Sequence, residues 1–230
     1  MTTRRVNLNT ESVDNYLKAI LALGGTEEER VTSTALAERL GVAPASITNM
    51  LQKLASASPP LVEYERRRGV RLSPAGRRRA LEIVRHHRLL EAFLYEVLNY
   101  PIEEVHDEAE RLEHFISERL EERIDVKLGR PKFDPHGHCI PALDGRMPKQ
   151  NSILLTNAEE GGNFYVDSVS DRDASTLKLL KARGITPGKR LRVKQRSGDG
   201  TYAVAVGESS KTISISHEAA TAIRIHCVTD

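Results

Sequence analysis

The sequence of 230 residues contains no tryptophan and only two cysteines. Cys139 and Cys227 are far apart and follow no disulfide or metal-site pattern, which favours a reducing, cytoplasmic location. No apolar run approaches the ~20 residues of a membrane span, and no apolar segment follows the N-terminal arginines, so neither a membrane anchor nor a signal peptide is expected. HExxH is absent, and Glu103–His106 is the single candidate ExxH, so we predict no enzyme.

Charge is unevenly distributed along the chain, although the net charge is only +2. Residues 1–80 carry 13 basic and 8 acidic side chains, whereas residues 81–130 carry 7 basic and 13 acidic ones. A basic block of this kind favours an anionic partner such as nucleic acid, and an acidic block favours a cation.

Apolar spacing and turn residues divide the chain into an α-helical N-terminal half and a β-rich C-terminal part. Helices are predicted at 10–23, 33–40, 44–55, 74–98 and 102–123, with a hairpin at 61–73. Short β-rich runs and one helix at 174–182 follow a proline-rich stretch. We therefore predict a winged helix-turn-helix domain (1–74), a second helical domain (75–128), a Pro-rich linker (129–151) and a small all-β barrel (152–230).

The order helix, helix, helix, hairpin is that of a winged helix-turn-helix, whose third helix enters the major groove of DNA. The residues predicted to face the bases are small or polar: Pro44, Ala45, Ser46, Thr48 and Asn49. The wing carries four arginines that could pair with phosphates: Arg66, Arg67, Arg68 and Arg71. The alternative is a generic three-helix unit with a solvated basic face, but the helices, the wing and the charge together favour DNA.

The segment HDEAERLEHF (106–115) concentrates ligand-type side chains. At about 100° per residue, His106, Glu110, Glu113 and His114 would share one helix face within roughly 100° of arc. His87 and Glu91, four residues apart on the preceding helix, form a second such pair. Nitrogen and oxygen donors without thiolate suit Mn, Fe, Co or Zn. The alternative is an ordinary charged surface laced with ion pairs.

These segments resemble the diphtheria toxin repressor family of metal-dependent regulators and its manganese regulators. The resemblance covers nearly the whole chain and is most specific in VHDEAERLEH (105–114) and HHRLLEAFL (86–94). PASITNMLQKL (44–54) resembles the recognition helix of the family, and LSPAGRRRA (72–80) the exit from its wing. The resemblance implies that 75–128 is a helical metal-binding and dimerisation domain and that 152–230 is an all-β SH3-like barrel. It also implies a homodimeric repressor that binds operator DNA when loaded with Mn(II) or Fe(II) and controls metal homeostasis genes.

The resemblance also implies individual site residues. Glu110, Glu113 and His114 match ligands of the main activating site, while His87, Glu91 and His106 match a second site. Asn15 stands where the family has Met or Asp, so Asn15 or its neighbour Asp14 is expected to contribute an oxygen. From the C-terminal domain the nearest candidate ligands are Asp171 and Asp173, which could equally be loop and helix-cap residues.

Two positions depart from the family pattern. Glu110 replaces the cysteine of iron-responsive members, which favours Mn(II), with Fe(II) as the alternative and Co, Zn or Cd as possible substitutes in vitro. Lys18 replaces a ligand Glu of the manganese regulators, so a binuclear site of their kind is not expected. His136, His138 and Cys139 could bind a soft metal, but an incidental grouping is the stronger interpretation.

The expected partners are double-stranded operator DNA and a second copy of the chain, with no membrane and no small organic substrate. The dimer interface is expected on apolar faces of the two His/Glu helices, with Leu89, Phe93 and Leu94 as candidates. One rival hypothesis is a metal-independent winged-helix regulator that answers a small molecule. The other is a metal-binding protein that does not touch DNA.

Overall fold

The computed structural model describes residues 11–24, 29–148, 150–198, 200–209 and 211–227. The N-terminal ten residues, where the absence of a signal peptide was predicted, lie outside this range. The chain forms two compact units. The first unit contains the residues up to His86 together with Glu113–Ile116 and Pro141–Arg146. The second unit contains His87–Leu112, Ser117–Ile140 and the residues from Met147 onward.

The first unit begins with three helices, α1 (Glu11–Leu23), α2 (Ser33–Leu40) and α3 (Pro44–Ala55). The Thr32 side chain caps α2 by accepting the Ala35 N–H, and Gly41, at φ 64°, ends that helix in the left-handed region. Pro44 occupies the first turn of α3, where its missing N–H costs no hydrogen bond. The apolar faces of these helices form one core that includes Val13, Leu17, Leu36, Ile47, Leu51 and Val70.

A two-stranded antiparallel hairpin follows, with β1 at Val62–Glu65 and β2 at Gly69–Leu72. Val31 forms an isolated antiparallel bridge with Val70, which ties the hairpin to the segment before α2. The observed helices and hairpin confirm the predicted winged helix-turn-helix.

The second half of the helical region departs from the prediction. Helix α4 (Pro74–Glu96) is followed by two helices, α5 (Val105–Leu112) and α6 (Glu118–Lys127), so the single helix predicted at 102–123 is wrong. The Glu113 carbonyl contacts the His86 ring, with 3.1 Å between its oxygen and Nδ1. Ser117 starts α6 by accepting the Leu120 N–H. Among the four residues expected on one helix face, only His106 and Glu110 belong to α5.

Two of the three candidate interface residues belong to the interior of a single chain. Leu89 and Leu94 are buried, and Phe93 is half-buried. Apolar side chains with a larger exposed fraction lie elsewhere, for example Phe115, which has 77% of its surface exposed.

The C-terminal region is an antiparallel sheet in the order β3-β8-β4-β5-β6-β7. Its strands are β3 (Ile153–Leu154), β4 (Asn163–Val169), β5 (Arg190–Arg196), β6 (Tyr202–Val206), β7 (Thr212–Ile215) and β8 (Ile223–Cys227), with helices α7 (Ala174–Ala182) and α8 (His217–Thr221). The strands and α7 were predicted, whereas α8 was not. Within the described residues no pairing of β3 with β7 closes the sheet, so the small β domain is confirmed without a closed barrel.

The proline-rich stretch at 129–148 contains neither a helix nor a strand, apart from an isolated bridge between Phe133 and Cys139. Several of its side chains are nevertheless buried, including Asp134, His136 and Cys139. No helix in the described part of the chain has the length and apolar character needed to cross a bilayer.

Candidate functional site

Four ligand-type side chains converge in the second unit. His87, Glu91, His106 and Asp171 each offer one ligand atom, and these atoms all lie within 4.8 Å of one another. The His87 Nε2 atom lies 3.0 Å from Glu91 Oε1 and 3.1 Å from His106 Nδ1. The His106 Nδ1 atom lies 3.5 Å from Asp171 Oδ2. We call these four residues the Glu91 centre.

The local structure explains how the Glu91 centre forms. His87 and Glu91 are one turn apart on α4, so their side chains project from the same face. His106 is the second residue of α5, and Asp171 lies in the loop between β4 and α7. Three helix residues are therefore joined by one carboxylate from the C-terminal sheet region.

Burial and neighbouring charges shift the pKa values of Glu91 and His106 within the Glu91 centre. Burial alone raises the pKa of Glu91, but the neighbouring His87, His106 and His136 outweigh it and hold that pKa well below its ordinary value. Burial lowers the pKa of His106, but a hydrogen bond with Glu91 and the charge of Asp171 outweigh it and raise that pKa. Glu91 is therefore an anion surrounded by imidazoles.

A loop at 134–138, here called the histidine loop, adds further ligand-type groups. His136 is fully buried, and its Nε2 atom lies 3.6 Å from Glu91 Oε1. The His138 Nδ1 atom lies 3.3 Å from Asp134 Oδ2 and 3.7 Å from Asp171 Oδ2. Burial lowers the pKa of His138, but hydrogen bonding to Asp134 and the charges of Asp134 and Asp171 raise it overall.

Backbone contacts hold the histidine loop in place. Asp134 Oδ1 accepts the His136 and His138 N–H groups at 2.8 and 2.9 Å. The His136 carbonyl accepts the Val169 N–H of β4 at 2.9 Å. A Cβ at Gly137 would lie 2.0 Å from the Asp167 carbonyl oxygen, so a side chain there would force the loop away from β4.

Sequence reasoning treated the histidines of this loop as incidental and missed Asp134. The available signal was the sequence DPHGH, which places three titratable side chains within five residues. The thiol of Cys139 takes no part in the candidate ligand sets of the described residues. Burial raises the pKa of the Cys139 thiol, which disfavours the thiolate that a soft metal would need.

Several buried polar atoms around the Glu91 centre have no hydrogen-bond partner among the described residues. They are Glu91 Oε2 and both ring nitrogens of His136. An unsatisfied buried polar atom typically costs about 1–3 kcal/mol. A divalent cation could be bound by Glu91 Oε2 and by one ring nitrogen of His136, and this nitrogen and oxygen donor set fits Mn(II), Fe(II) or Zn(II).

A second group of ligand-type residues lies in the first unit. His114 Nδ1 lies 3.3 Å from Asp14 Oδ2, and His114 Nε2 lies 3.2 Å from Glu113 Oε1. The Lys18 Nζ atom lies 2.6 Å from the same Glu113 oxygen. We call Asp14, Lys18, Glu113 and His114 the Lys18 cluster.

The remaining candidate ligands fall in different places. Asp14 rather than its half-buried neighbour Asn15 contacts His114. Glu110 is half-buried on α5, in the second unit. Asp173 caps α7, because its carboxylate accepts hydrogen bonds from Ser175 and Thr176 that lower its pKa to about 2. The alternative interpretation of Asp173 as a cap residue therefore describes its geometry.

The predicted DNA-facing residues are accessible. Pro44, Ala45, Ser46 and Asn49 are exposed, and Thr48 is half-buried with its hydroxyl donating to the Pro44 carbonyl at 3.3 Å. In the wing, Arg66, Arg67 and Arg68 are exposed and Arg71 is half-buried. Arg68 and Arg71 form ion pairs with Glu65 and Glu63, at 2.9 and 2.8 Å.

Three family models match successive parts of the chain. Residues 9–70 match the iron-dependent repressor N-terminal DNA-binding domain. Residues 73–142 match the iron-dependent repressor metal-binding and dimerisation domain. Residues 153–227 match the FeoA domain.

Individual relatives extend over almost the whole chain. The iron-dependent repressor IdeR of Mycobacterium tuberculosis (strain ATCC 25618 / H37Rv) is 30% identical over 237 residues, covering 97% of this chain and 100% of the relative. A solved manganese-dependent transcriptional repressor in complex with manganese is 40% identical with a TM-score of 0.84, covering 94% of this chain and 99% of the other. The structure of ScaR with bound Cd2+ is 31% identical with a TM-score of 0.77, covering 94% and 99%.

Proposed function

The chain belongs to the iron-dependent repressor family, and from this premise we propose that it is a metal-dependent repressor that binds operator DNA as a homodimer. Its relatives are iron- and manganese-dependent transcriptional repressors, which are regulators rather than enzymes. The protein acts in the cytoplasm, where its operator DNA lies, and controls genes of metal homeostasis.

The observation that carries the metal dependence is the Glu91 centre with its unsatisfied buried atoms. The proposed ligands are His87, Glu91, His106 and Asp171. Further donors are available nearby from the histidine loop, namely Asp134, His136 and His138. A bound divalent cation supplies the positive charge that these converging groups lack. Asp14, Glu113 and His114 are proposed for the main activating site, and Asn15 is retained as a neighbouring oxygen donor.

Mn(II) is the proposed physiological metal, with Fe(II) as the alternative. The donors are imidazole nitrogens and carboxylate oxygens, which suit both ions, and Glu110 offers an oxygen rather than a thiolate. The similar repressor solved with manganese supports the same choice. The relatives' structures with Cd2+ and Zn2+ make substitution by these ions in vitro expected.

Metal can switch DNA binding only by stabilising the DNA-competent state more than the other states. In this protein α4 and α5 carry His87, Glu91 and His106, so their relative position is what a cation at the Glu91 centre would fix. On the DNA side, Ser46, Thr48 and Asn49 are proposed to meet base edges. Pro44 and Ala45 allow close approach, and Arg66, Arg67, Arg68 and Arg71 are proposed to meet phosphates.

The deciding experiment measures DNA affinity against metal. An operator is selected from random DNA with Mn(II)-loaded protein, and its binding is followed by fluorescence anisotropy while Mn(II), anaerobic Fe(II) or Zn(II) is titrated. Glu91→Gln should lose at least the ~10–100-fold in metal affinity that typically follows the loss of a ligand's supporting partner. Glu104→Gln, an exposed acid close to α5, is the matched control and should behave as wild type.

The alternatives give different results in the same assay. Equally tight DNA binding in the presence of a chelator would support a metal-independent regulator. Metal binding without selection of any DNA sequence would support a metal-binding protein that does not touch DNA. Circular dichroism of Glu91→Gln shows whether a lost response reflects a missing ligand or a protein that has not folded.

A further inference from the structure

The Lys18 cluster already contains a cation. The Lys18 ammonium lies 2.6 Å from Glu113 Oε1, and the two side chains are 16% and 0% exposed. The same oxygen lies 3.2 Å from His114 Nε2. A cation that binds Glu113 and His114 together would therefore need the position beside Oε1 where the ammonium lies.

The buried carboxylates of this cluster are balanced by basic side chains. Arg79 Nε lies 2.7 Å from Asp14 Oδ1, and Lys18 is paired with Glu113. Two buried anions therefore face two cations, which offsets the large cost of burying a carboxylate alone. The recess beside the cluster is also lined by Glu11 and Glu82, but both are exposed to water, which screens their charge.

The donors for a metal ion are nevertheless present. Both ring nitrogens of His114 are buried and have no hydrogen-bond partner among the described residues. Each of these nitrogens lies within 3.3 Å of a carboxylate oxygen, of Asp14 or of Glu113, so imidazole and carboxylate donors converge as they do in sites for divalent cations. The cluster thus has the ligands of a cation site, and the Lys18 ammonium already lies beside one of them.

We propose that Lys18 is a built-in competitor that a divalent metal ion must displace before it can bind Asp14, Glu113 and His114. This inference rests on the proposed function. It gives the two groups of ligands different thresholds, because Glu91 and Asp171 are paired with histidines, which can lose their protons to a metal ion, rather than with a lysine. The Glu91 centre fills first, and the Lys18 cluster fills only at higher metal concentration.

The test is calorimetric titration of the metal-free, full-length protein with Mn(II), with the amount of bound Mn(II) checked by electron paramagnetic resonance. Wild type should show a tight site and a weak site. Lys18→Met, which keeps the length of the side chain but not its charge, should tighten the weak site by about tenfold or more. Lys18→Arg keeps the charge and should leave the weak site weak.

Two controls locate the effect. Lys127→Met removes an exposed lysine of α6 and should change neither site. Adding Glu113→Gln to Lys18→Met should remove the tightened site and leave the tight one. In metal-free protein, Lys18→Met should unfold at a lower temperature than wild type because Glu113 loses its counterion. Added Mn(II) should replace that counterion and remove the difference in unfolding temperature.

The proposal is overturned if Lys18→Met leaves the weak site unchanged, or if Lys18→Arg tightens it as much as Lys18→Met. It is also overturned if Lys18→Met shows no second site at all. These readouts do not involve DNA, so they can fail while metal still promotes operator binding. Conversely, failure of the operator assay would leave the titration result intact.

Discussion

At the scale of single residues, Gly76 shows how closely α4 is docked to the end of the hairpin region. A Cβ at Gly76 would lie 1.8 Å from the Leu61 carbonyl oxygen. That oxygen also accepts the Ser73 N–H at 3.1 Å, and the Ser73 hydroxyl accepts the Gly76 N–H at 3.1 Å. Space, rather than backbone conformation, requires glycine at this position.

Gly76→Ala should therefore destabilise the protein by about 1–3 kcal/mol, the usual cost of overpacking. In an unobstructed helix the same change would stabilise by about 0.5–1 kcal/mol. Chemical denaturation of the metal-free protein measures the free energy of unfolding. Ala75→Gly, the reverse change one residue earlier, is the control and should also destabilise. A stabilised Gly76→Ala variant would show that α4 can move away from Leu61.

Single residues also show where sequence reasoning succeeds and where it stops. His87 and Glu91 could be predicted as a pair because their four-residue spacing on one helix is visible in the sequence. Spacing grouped His106 with Glu110, Glu113 and His114 instead, and only the family resemblance joined His106 to His87 and Glu91. Asp134 and His136 could not be chosen with the same certainty, because their position beside Glu91 depends on a loop whose shape is set by contacts with β4. Asp173 precedes Ser175 and Thr176, a typical cap pattern, which separates it from Asp171.

At the scale of elements, the wing contains arginines in ion pairs and arginines that are exposed without one. Arg68 pairs with Glu65, whereas Arg66 and Arg67 are exposed, with no ion pair among the described residues. Arg67 stands at φ 76° in the turn between β1 and β2. The tip of the wing therefore presents two uncompensated guanidinium groups.

Replacing Arg66 or Arg67 by Ala should weaken operator binding and reduce its salt dependence. The slope of log K against log salt falls by ~0.9 for each phosphate that is no longer neutralised by a basic side chain. The slope is measured by anisotropy with Mn(II) present at several salt concentrations. Arg68→Ala is the matched control, and its slope should change less because Glu65 already neutralises that side chain. Equal slopes for all three variants and wild type would exclude the wing tip from phosphate binding.

The elements that the sequence predicted correctly are those with local signals. Helices α2 and α3 follow from Thr32, Gly41 and Pro44, and the strands of the C-terminal sheet follow from alternation and turn residues. The break between α5 and α6 was missed because apolar spacing continues across it. In the structure the Glu113 carbonyl at this break contacts the ring of His86, which is remote in sequence. Ser117, a good helix cap, was the available local signal.

At the scale of the whole molecule, the exposed apolar surface points to self-association. Phe115 is 77% exposed and lies within residues 73–142, which match a metal-binding and dimerisation domain. Leu143 is similarly exposed, at 70%, but lies just beyond the matched range. A single exposed apolar side chain does not by itself mark an interface, so the match to a dimerisation domain is what distinguishes Phe115 from Leu143.

Sedimentation velocity should therefore show a dimer of 25.6 kDa chains. Phe115→Ser should raise the dimer dissociation constant by about tenfold or more, since burial of such a side chain contributes ~1.5–3 kcal/mol. Leu143→Ser, matched in exposure, should leave the dimer unchanged. If Leu143→Ser dissociates the dimer and Phe115→Ser does not, the interface lies outside the matched region.

The position of Asp171 has a consequence for protein synthesis. The residues of the Glu91 centre lie at positions 87, 91, 106 and 171, and the last follows β4. During translation the DNA-reading helices leave the ribosome first, long before this carboxylate is made. A chain released early would possess α3 and the wing but an incomplete cation site. A fragment that ends before Asp171 would contain Asp14, Glu113 and His114 of the Lys18 cluster but would lack the Asp171 carboxylate of the Glu91 centre. A response that depends on the Glu91 centre is therefore available only after β4 and the loop that follows it have been translated.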